Sequence, residues 1–266
     1  MKLSIITVCY NAADKIEATI KSVINQNSSD YEYIIKDGGS HDNTVDVIKK
    51  YNQCLSYWES CQDSGIYDAM NIAVQKARGD YILFLNVGDL LFSKNTIEKC
   101  MELMDNNSDL CYGAIVNRMP YGDVLVNPDS IDEIKTRMVF SHQAVFVKRE
   151  LLSKYKFDIK YKFAADYDFL SKMFFLHYKF QNIGIPIAIT PIMEGATYTN
   201  KWKSLLEHKD ILLKNNTYNE YYFRSLVLRI YIMRVLKSII PSCVKTKLLK
   251  IKNRKRLMNN AEMVFE

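Results

Sequence analysis

The chain has 266 residues and a net charge of +6, and 48% of its residues are hydrophobic, which is enough for one large α/β domain with an appendage. No run of about 18 uncharged apolar residues occurs, so we expect no transmembrane helix. Residues 1–11 enter a predicted strand directly, without a signal-peptide pattern. The six Cys form no CxxC pair, so we expect reduced thiols in a cytoplasmic protein rather than a metal site.

The charge is distributed unevenly along the chain. After Glu220 the sequence has eleven Lys and Arg and two acidic residues, so this tail carries +9 and residues 1–220 carry −3. The asymmetry argues for an anionic surface touched by the C-terminus and against nucleic acid as the main partner. A nucleic-acid-binding protein would fit the charge but would leave Asp37, Asp89 and Asp166 unexplained.

The first half of the chain alternates apolar runs with amphipathic segments. The periodicity predicts strands at 3–9, 31–36, 55–59 and 81–85, and helices at 13–25, 44–51 and 67–76. This order is typical of an α/β fold with a parallel, doubly wound sheet between helices.

Two of these strands end in polar loops. DGGS at 37–40 follows the second strand and NVGD at 86–89 follows the fourth. Parallel strands open their carboxyl ends at one edge of the sheet, so Asp37 and Asp89 can face one ligand. An acidic group beside a Gly suits a divalent cation that carries phosphates. Either loop alone is also compatible with a simple Asx-Gly turn, but two together favour a site.

The second half is less regular. We predict helices at 96–105, 131–137, 149–154 and 202–214, strands at 110–116, 124–126, 145–147 and 181–189, and a loop at 191–198. A further helix runs to about His177 and carries Asp166 and Asp168 near its start. An Asp there can be an N-cap, but capping needs only one of the two.

The tail begins with a predicted amphipathic helix at 221–240. Its apolar stripe consists of Leu228, Ile232, Val235, Leu236 and Ile239, and Pro241 ends it. A basic amphipathic helix followed by a polybasic run suits the anionic cytoplasmic leaflet. The alternative is a helix docked on the core with a solvated basic tail.

Seven short motifs together resemble the family 2 glycosyltransferases, which have the glycosyltransferase-A fold. They cover about residues 3–195 and are SIITVCYN (4–11), IIKDGGS (34–40), GIYDAMN (65–71), ARGDY (77–81), LNVGD (85–89), SHQ (141–143) and ADYD (165–168). Their form is similar to the subgroup found in bacterial surface-polysaccharide clusters, such as those for O-antigen, capsule and colanic-acid-like polymers.

The resemblance implies a site for a nucleotide-diphosphate sugar at the strand ends. In the family, Asp37 accepts a hydrogen bond from the uracil ring NH and Tyr10 packs on the base. Asp63 and Asn71 match positions near the nucleotide. Asn86 lies in the metal motif and is expected to contact the nucleotide through its neutral oxygen.

The metal motif departs from the family's Asp-x-Asp pattern. Here it is Asn86-Val87-Gly88, so Asp89 is the one expected anionic ligand for Mn²⁺ or Mg²⁺. We therefore expect weakened metal binding, with a dispensable cation as the alternative. Gly88 could instead make room for the sugar.

The resemblance also assigns the base of an inverting transfer. By position in the family's Glu-Asp motif, Asp166 removes the proton from the acceptor hydroxyl. Asp168, His142 and Gln143 are expected to be donor or acceptor contacts, although Asp168 can be structural and His142 can be a core histidine. The Gln-x-x-Arg-Trp motif of processive synthases is absent from the sequence, so one sugar per acceptor is expected.

These expectations define a domain plan and a function. Residues 1–200 would form the catalytic domain, with a nucleotide-binding half (1–90) and an acceptor half (91–200), and 201–266 a basic helical extension. The enzyme would transfer one sugar from UDP-hexose or UDP-N-acetylhexosamine to a lipid-diphosphate-linked saccharide. It would be cytoplasmic and bind the inner face of the cell membrane through 221–256. The alternative is a catalytically weak or inactive nucleotide-sugar-binding relative.

Overall fold

The computed structural model describes residues 2–191, 200–239 and 242–258, and its centre is a sheet flanked by helices. The strands are β1 Leu3–Cys9, β2 Tyr31–Asp37, β3 Tyr57–Ser60, β4 Tyr81–Phe84, β5 Leu90–Leu91, β6 Leu110–Met119, β7 Gly122–Val126, β8 Val145–Lys148 and β9 Phe180–Pro191. The helices are α1 Ile16–Ile24, α2 Thr44–Lys50, α3 Ile66–Val74, α4 Thr96–Leu103, α5 Arg149–Tyr155, α6 Ala165–Phe175, α7 Lys201–Lys214, α8 Glu220–Ile239 and α9 Ser242–Lys252.

The sheet is mixed, because it contains both parallel and antiparallel strand pairs. Its strand order is β3-β2-β1-β4-β8-β6-β9-β5, with β7 paired to β6. The four strands from the first half of the chain pair in parallel, as predicted. β8 then pairs antiparallel to β4, and β6 pairs antiparallel to β8 but parallel to β9. The strands β1 to β4 therefore form an all-parallel part of the sheet.

Burial on both faces explains the continuous apolar runs of the central strands. Every residue of β1 is buried, and helices cover both faces with separate apolar clusters. On one side, Ile16, Ile20 and Val23 of α1 are fully buried, at the helical spacing that the sequence shows. Each such side chain contributes roughly 1.5–3 kcal/mol when it leaves water, which fixes α1 beside the loops that end β1 and β4.

Local interactions account for the differences from the predicted elements. The third strand begins at Tyr57 because Asn52–Cys54 forms a 3₁₀ turn. The two-residue strand β5 was not predicted, since it exists through its pairing with β9. The predicted helix at 131–137 is a 3₁₀ segment, Ile131–Lys135. Most of the predicted loop at 191–198 lies outside the described residues. Its first residue, Pro191, is the last residue of the strand β9.

The C-terminal extension contacts the rest of the molecule at both ends. In its first helix, Lys214 of α7 pairs with Asp168 of α6 at 2.6 Å. Near its end, Leu257 forms a β-bridge with Val124 of β7, and the Met258 N–H donates to the carbonyl oxygen of Asp123 at 3.0 Å. The extension therefore contacts residues 1–200 at two places, which favours the docked alternative.

The polybasic run itself contains the helix α9, for which the sequence analysis assigned no separate bounds within the helical extension. In α8, the side chains beyond residue 232 lie outside what the structure describes, so the predicted stripe can be followed only at Leu228 and Ile232. Both are exposed. Within residues 2–191, 200–239 and 242–258, no helix has the length and apolar character that crossing a membrane requires.

Candidate active site

A cleft of about 1650 Å³ opens at the carboxyl ends of β1, β2 and β4 and continues along α7 and α8. Its wall includes seven residues that the sequence predicted for the site, namely Tyr10, Asp63, Asn86, Asp89, His142, Gln143 and Asp166. They come from five separate segments of the chain, and the parallel pairing of β1, β2 and β4 brings the loops that follow these strands to one edge of the sheet. Three predicted residues, Asp37, Asn71 and Asp168, are not part of this wall.

The buried side chain of Asp37 holds the loop at the end of β2 through hydrogen bonds. Its side chain is fully buried and accepts hydrogen bonds from the Gly39 and Ser40 N–H groups at 3.1 and 2.8 Å and from the Ser60 hydroxyl at 2.6 Å. Burial raises the pKa of Asp37, but the bonds from Ser40 and Ser60 outweigh it and hold the pKa below its usual value. The carboxylate is therefore ionised and occupied by the loop, whose Gly38 and Gly39 line the cleft.

Tyr10 and Asp63 both line the cleft near the loops that follow the parallel strands. Tyr10 is 56% exposed and meets His41 edge to face, with ring centroids 6.5 Å apart. Asp63 packs under Gly38 and pairs with the buried Lys36 ammonium at 3.2 Å. A largely exposed aromatic ring beside a fixed carboxylate can bind a planar heterocycle that carries N–H donors.

A hydrogen-bond chain crosses the centre of the cleft from Asn86 to Tyr67. The Asn86 side-chain nitrogen lies 3.0 Å from His142 Nε2, and His142 Nδ1 lies 3.1 Å from Asp166 Oδ2. The Tyr67 hydroxyl donates to Asp166 Oδ1 at 2.9 Å. Every contact is satisfied by a neutral His142 that carries its proton on Nδ1 and accepts from Asn86 on Nε2. His142 is thus neither a simple core histidine nor an isolated contact.

The two carboxylate oxygens of Asp166 have different environments. Oδ1 accepts from the Tyr67 hydroxyl and from the Tyr167 N–H, both at 2.9 Å. Among the described residues, Oδ2 contacts His142 alone and so retains an open lone pair. Asp166 is 15% exposed in its side chain and lines the cleft, so Oδ2 is the oxygen that can accept a further proton.

Opposite pKa shifts keep Asp166 and His142 paired. Burial raises the pKa of Asp166, but hydrogen bonding and charge from His142, with the Tyr67 bond, lower it below the usual value. Burial lowers the pKa of His142, but the bond and charge of Asp166, with the charge of Asp89, raise it above the usual value. Asp166 is therefore ionised at neutral pH, as a general base must be.

The loop after β4 contains two unusual groups. One is a buried amide oxygen that has no hydrogen-bond partner among the described residues, and the other is a carboxylate whose charged form is disfavoured by burial. Asn86 Oδ1 is buried without a hydrogen-bond partner. Burial raises the pKa of Asp89 to about 7, although the charge of His142 and a hydrogen bond from Gln143 work against it. Gly88, with φ of +94°, makes the turn between them, a backbone conformation that favours Gly.

These groups fit a divalent cation only if the substrate completes its coordination. No cluster of three or more His, Cys, Asp or Glu with metal-binding geometry occurs in the described part of the chain. Mg²⁺ and similar ions are often held by one or two protein oxygens together with substrate phosphates. The orphan Asn86 oxygen and the Asp89 carboxylate match that arrangement, and a cation would also relieve the burial of Asp89.

Asn71 and Asp168 have structural partners instead of cleft positions. Asn71 exchanges two hydrogen bonds of 2.9 Å with the backbone of Phe157, which joins α3 to the segment before α6. A contact between Asn71 and the nucleotide stays a prediction. Asp168 is 8% exposed in its side chain and pairs with Lys214 of α7 at 2.6 Å, so it joins two helices and makes no contact with the cleft.

The structure adds residues to the site that sequence reasoning missed. Tyr67 belongs to the GIYDAMN motif, but its role is visible only through its contact with Asp166, 99 residues away. His208 of α7 stacks on Tyr167 with ring centroids 4.6 Å apart and lines the cleft. Burial lowers the pKa of His208, so it is neutral. Its position follows no motif, because it depends on how α7 docks.

Comparison with known proteins places this architecture in a family. Residues 4–176 match the family described as glycosyl transferase family 2. A Mycobacterium bovis BCG protein named PGL/p-HBAD biosynthesis glycosyltransferase is 31% identical over 156 residues, which cover 56% of this chain and 59% of that protein. The match thus spans about three fifths of the length of this relative.

Two solved structures share the fold at low sequence identity. Staphylococcus aureus TarS 1–349 in complex with UDP-GlcNAc has a TM-score of 0.65 and 20% identity, covering 79% of this chain and 64% of that chain. The mannosyltransferase PcManGT from Pyrobaculum calidifontis, in complex with GDP-Man and Mn²⁺, has a TM-score of 0.64 and 16% identity, covering 82% and 65%. The chain belongs to the family 2 glycosyltransferases and has their α/β fold.

Proposed function

We propose that this protein is an inverting, non-processive glycosyltransferase that moves one sugar from a UDP-hexose or UDP-N-acetylhexosamine to a lipid-linked saccharide. The reaction would serve the synthesis of a bacterial surface polysaccharide. The observation that supports the proposal is the Asn86–His142–Asp166 chain, which places an ionised carboxylate in the cleft of a chain that matches glycosyl transferase family 2.

The donor would lie on the β-strand side of the cleft. Tyr10 would stack on the base, Asp63 would accept from it, and Gly38 and Gly39 would let the backbone approach the ribose. Asp37 would act mainly by holding this loop, and a direct contact between Asp37 and the uracil ring stays a prediction. The fold-related TarS structure contains UDP-GlcNAc, which supports UDP as the nucleotide.

Asn86 and Asp89 would hold a divalent cation together with the donor diphosphate. When bound, the cation would neutralise charge that develops on the departing diphosphate. PcManGT, which shares the fold, contains Mn²⁺ with its sugar nucleotide. Since one carboxylate replaces the family's pair, the protein's own contribution to cation binding would be weak.

Asp166 would be the general base. The acceptor hydroxyl would give its proton to Asp166 Oδ2 as its oxygen bonds to the anomeric carbon, and the bond from that carbon to the diphosphate oxygen would break. Tyr67 and the Tyr167 N–H would fix the carboxylate plane through Oδ1, and His142 would keep Asp166 ionised. Attack opposite the leaving group would invert the anomeric centre.

The acceptor side would face an anionic membrane through the C-terminal extension. On α9, Val244, Leu248 and Ile251 are exposed at helical spacing, by 42, 53 and 70%. Lys247, Lys250 and Lys252 are interspersed along the same helix. An exposed apolar stripe among lysines suits the interface of a bilayer that contains anionic lipids. The protein would then be cytoplasmic and peripheral on the inner face of the cell membrane.

One observation favours a second candidate, a nucleotide-sugar-binding relative with little or no turnover. The metal loop retains only Asp89 as a carboxylate, and Asp89 is 6% exposed. Such a protein would bind UDP, transfer nothing, and be indifferent to the substitution Asp166→Asn.

Calorimetry with UDP, GDP and dTDP, each with and without Mn²⁺, tests the donor site. We expect UDP to bind preferentially and Mn²⁺ to strengthen it. Tyr10→Ala should weaken UDP by about tenfold or more, since stacking on a base contributes ~1–3 kcal/mol. Tyr231→Ala is the matched control, because Tyr231 is similarly exposed but lies on α8 outside the cleft wall. If none of the nucleotides binds, the donor site is wrong.

Turnover separates the enzyme from the inactive relative. Wild-type protein that consumes a UDP-sugar, with loss of turnover in Asp166→Asn, supports the transferase. UDP binding without turnover of UDP-glucose, UDP-galactose, UDP-N-acetylglucosamine or UDP-N-acetylgalactosamine by wild-type protein supports the second candidate.

A further inference from the structure

The cleft has a second wall, which is apolar and belongs to the C-terminal helices. Tyr222, Phe223, Leu226 and Ile230 of α8 line the same cavity as Asp166. Their spacing of one, four and eight positions places them on one face of the helix. Leu205 and Leu212 of α7 continue this surface, which we call the apolar wall.

The apolar wall adjoins the proposed base. Leu205 and Leu212 flank His208 at helical spacing on α7, and His208 stacks on Tyr167, the neighbour of Asp166 in the chain. Anything that lies along the wall and reaches Asp166 belongs to the molecule whose hydroxyl is deprotonated there. The wall is therefore on the acceptor side of the reaction.

The size of the cleft leaves room for this second ligand. Ligand sites usually enclose about 300–1,000 Å³, whereas this cleft encloses about 1650 Å³. A sugar nucleotide is polar throughout and fits the opposite end, with its buried carboxylates and strand-end loops. The wall offers few polar partners, so its occupant must be a hydrocarbon.

The outer side of α8 shows where that hydrocarbon would come from. Tyr221, Leu228, Tyr231 and Ile232 are exposed by 87, 58, 65 and 47%. α8 is thus apolar both toward the cleft and away from it, with Arg224 and Arg229 between. Cationic Lys162 and Lys201 line the cleft itself. An anionic lipid complements both features, with its chain on the wall and its head group near the lysines.

We propose that the apolar wall binds the hydrocarbon segment of a lipid-diphosphate acceptor next to its diphosphate. This inference rests on the proposed function and adds the subsite and the chemical class of its occupant. The chain would pass from the membrane along α8 and present the saccharide to Asp166. The wall would then select acceptors by their lipid, in addition to their sugar.

Calorimetry on the full-length protein without vesicles tests the subsite. The probes are farnesyl diphosphate and isopentenyl diphosphate, which share the head group and differ in chain length, below the concentration at which farnesyl diphosphate aggregates. We expect the longer chain to bind at least about tenfold tighter, because each buried methylene adds to binding. Leu226→Asn should reduce this ratio to about threefold or less.

Leu228→Asn is the matched control, since it makes the same substitution on the same helix but on the exposed outer side. It should leave the chain-length ratio unchanged. Circular dichroism and the thermal midpoint verify that both variants fold, and Ile230→Asn provides a second test of the wall if Leu226→Asn is unstable.

Three results would overturn the inference. One is a wild-type protein that binds UDP but does not distinguish the two chain lengths. Another is an equal effect of Leu226→Asn and Leu228→Asn. The last is light scattering that shows a wild-type dimer dissociated by Leu226→Asn, which would make the wall a contact between two copies. Failure to bind UDP, in contrast, would count against the proposed function itself.

Discussion

His142 Nδ1 lies 3.1 Å from Asp166 Oδ2, and this contact joins the proposed donor side of the cleft to the proposed acceptor side. The same imidazole meets the side chain of Asn86 through Nε2 at 3.0 Å. The residue that would contact the diphosphate and the residue that would deprotonate the acceptor therefore share one ring. A change at either end alters the hydrogen bonding of the other.

Asp166→Asn should abolish transfer while nucleotide binding persists. The amide keeps the size of the side chain but cannot accept the acceptor proton, and a positioned base contributes about 10²–10⁴-fold. Product formation and calorimetry with UDP measure the two effects separately. Transfer at the wild-type rate would show that another group is the base.

Tyr67→Phe should move the acidic limb of the pH–rate profile to higher pH. Asp166 must be ionised to act, and its lowered pKa keeps it ionised below the usual range for Asp. Loss of the Tyr67 bond raises the pKa of Asp166. When the pH is lowered, the variant should therefore lose activity at a higher pH than the wild type does. Rates from about pH 4 to about pH 8 test this. Tyr155→Phe, which removes a hydroxyl that bonds to Tyr178 and makes no part of the cleft wall, should leave the limb in place.

Asp89→Asn should stabilise the metal-free protein at alkaline pH. The folded pKa of Asp89 is about 7 and its ordinary value is 3.8, so the folded state retains the proton longer than the unfolded state. The free energy of unfolding of the wild type therefore falls as the pH rises between these two pKa values. Asp89→Asn lacks this titration, so it should be more stable than the wild type by ~2 kcal/mol above pH 7. Urea unfolding with a chelator measures the difference. Mn²⁺ should raise the thermal midpoint of wild type and not of Asp89→Asn.

Asp168→Asn should weaken folding without removing the base. Asp168 is buried and its partner Lys214 is 44% exposed in its side chain, so the expected loss is ~1–2 kcal/mol, less than for a fully buried pair. Urea unfolding measures this loss, and the transfer rate at a temperature where the variant is folded measures catalysis. Loss of transfer comparable to Asp166→Asn would instead mean that Asp168 takes part in the chemistry.

The double substitution Leu248→Asn and Ile251→Asn should reduce binding to anionic vesicles. Both side chains are more than half exposed on α9, so the change should leave the fold intact. Co-sedimentation with vesicles of phosphatidylglycerol and phosphatidylcholine should fall by about tenfold or more. Leu103→Asn and Leu176→Asn together form the control, since these leucines are similarly exposed on the catalytic half. Equal loss in both proteins, or no wild-type binding, would refute the membrane surface.

The sequence predicted the parallel half of the sheet because each step there is local. Buried strands follow amphipathic helices at short range, and the polar loops at 37–40 and 86–89 meet because parallel strands share an edge. The resemblance named Asp166 and His142, but it did not show that they are bonded to each other. That contact depends on β8 entering the sheet antiparallel beside β4, which apolar patterning does not specify.

Asn71 and the C-terminal helices also show that sequence patterns do not specify tertiary contacts. Asn71 lies within a family motif, yet it ties α3 to Phe157. The tail was predicted as amphipathic, but amphipathicity does not say which face meets the core. The apolar wall and His208 became visible only once α7 and α8 were packed against the cleft.

The double anchoring of the C-terminal extension determines how the enzyme would sit on a bilayer. Lys214 of α7 pairs with Asp168 of α6, and Leu257 pairs with Val124 on a β-hairpin. Because the segment is fixed at both ends, its binding to a membrane would orient the rest of the protein as well as attach it. Adsorption of α9 would therefore set the tilt of the whole catalytic domain and the height of Asp166 above the lipid head groups. An acceptor whose reactive hydroxyl lies nearer to or farther from the bilayer than that height would be excluded by distance alone.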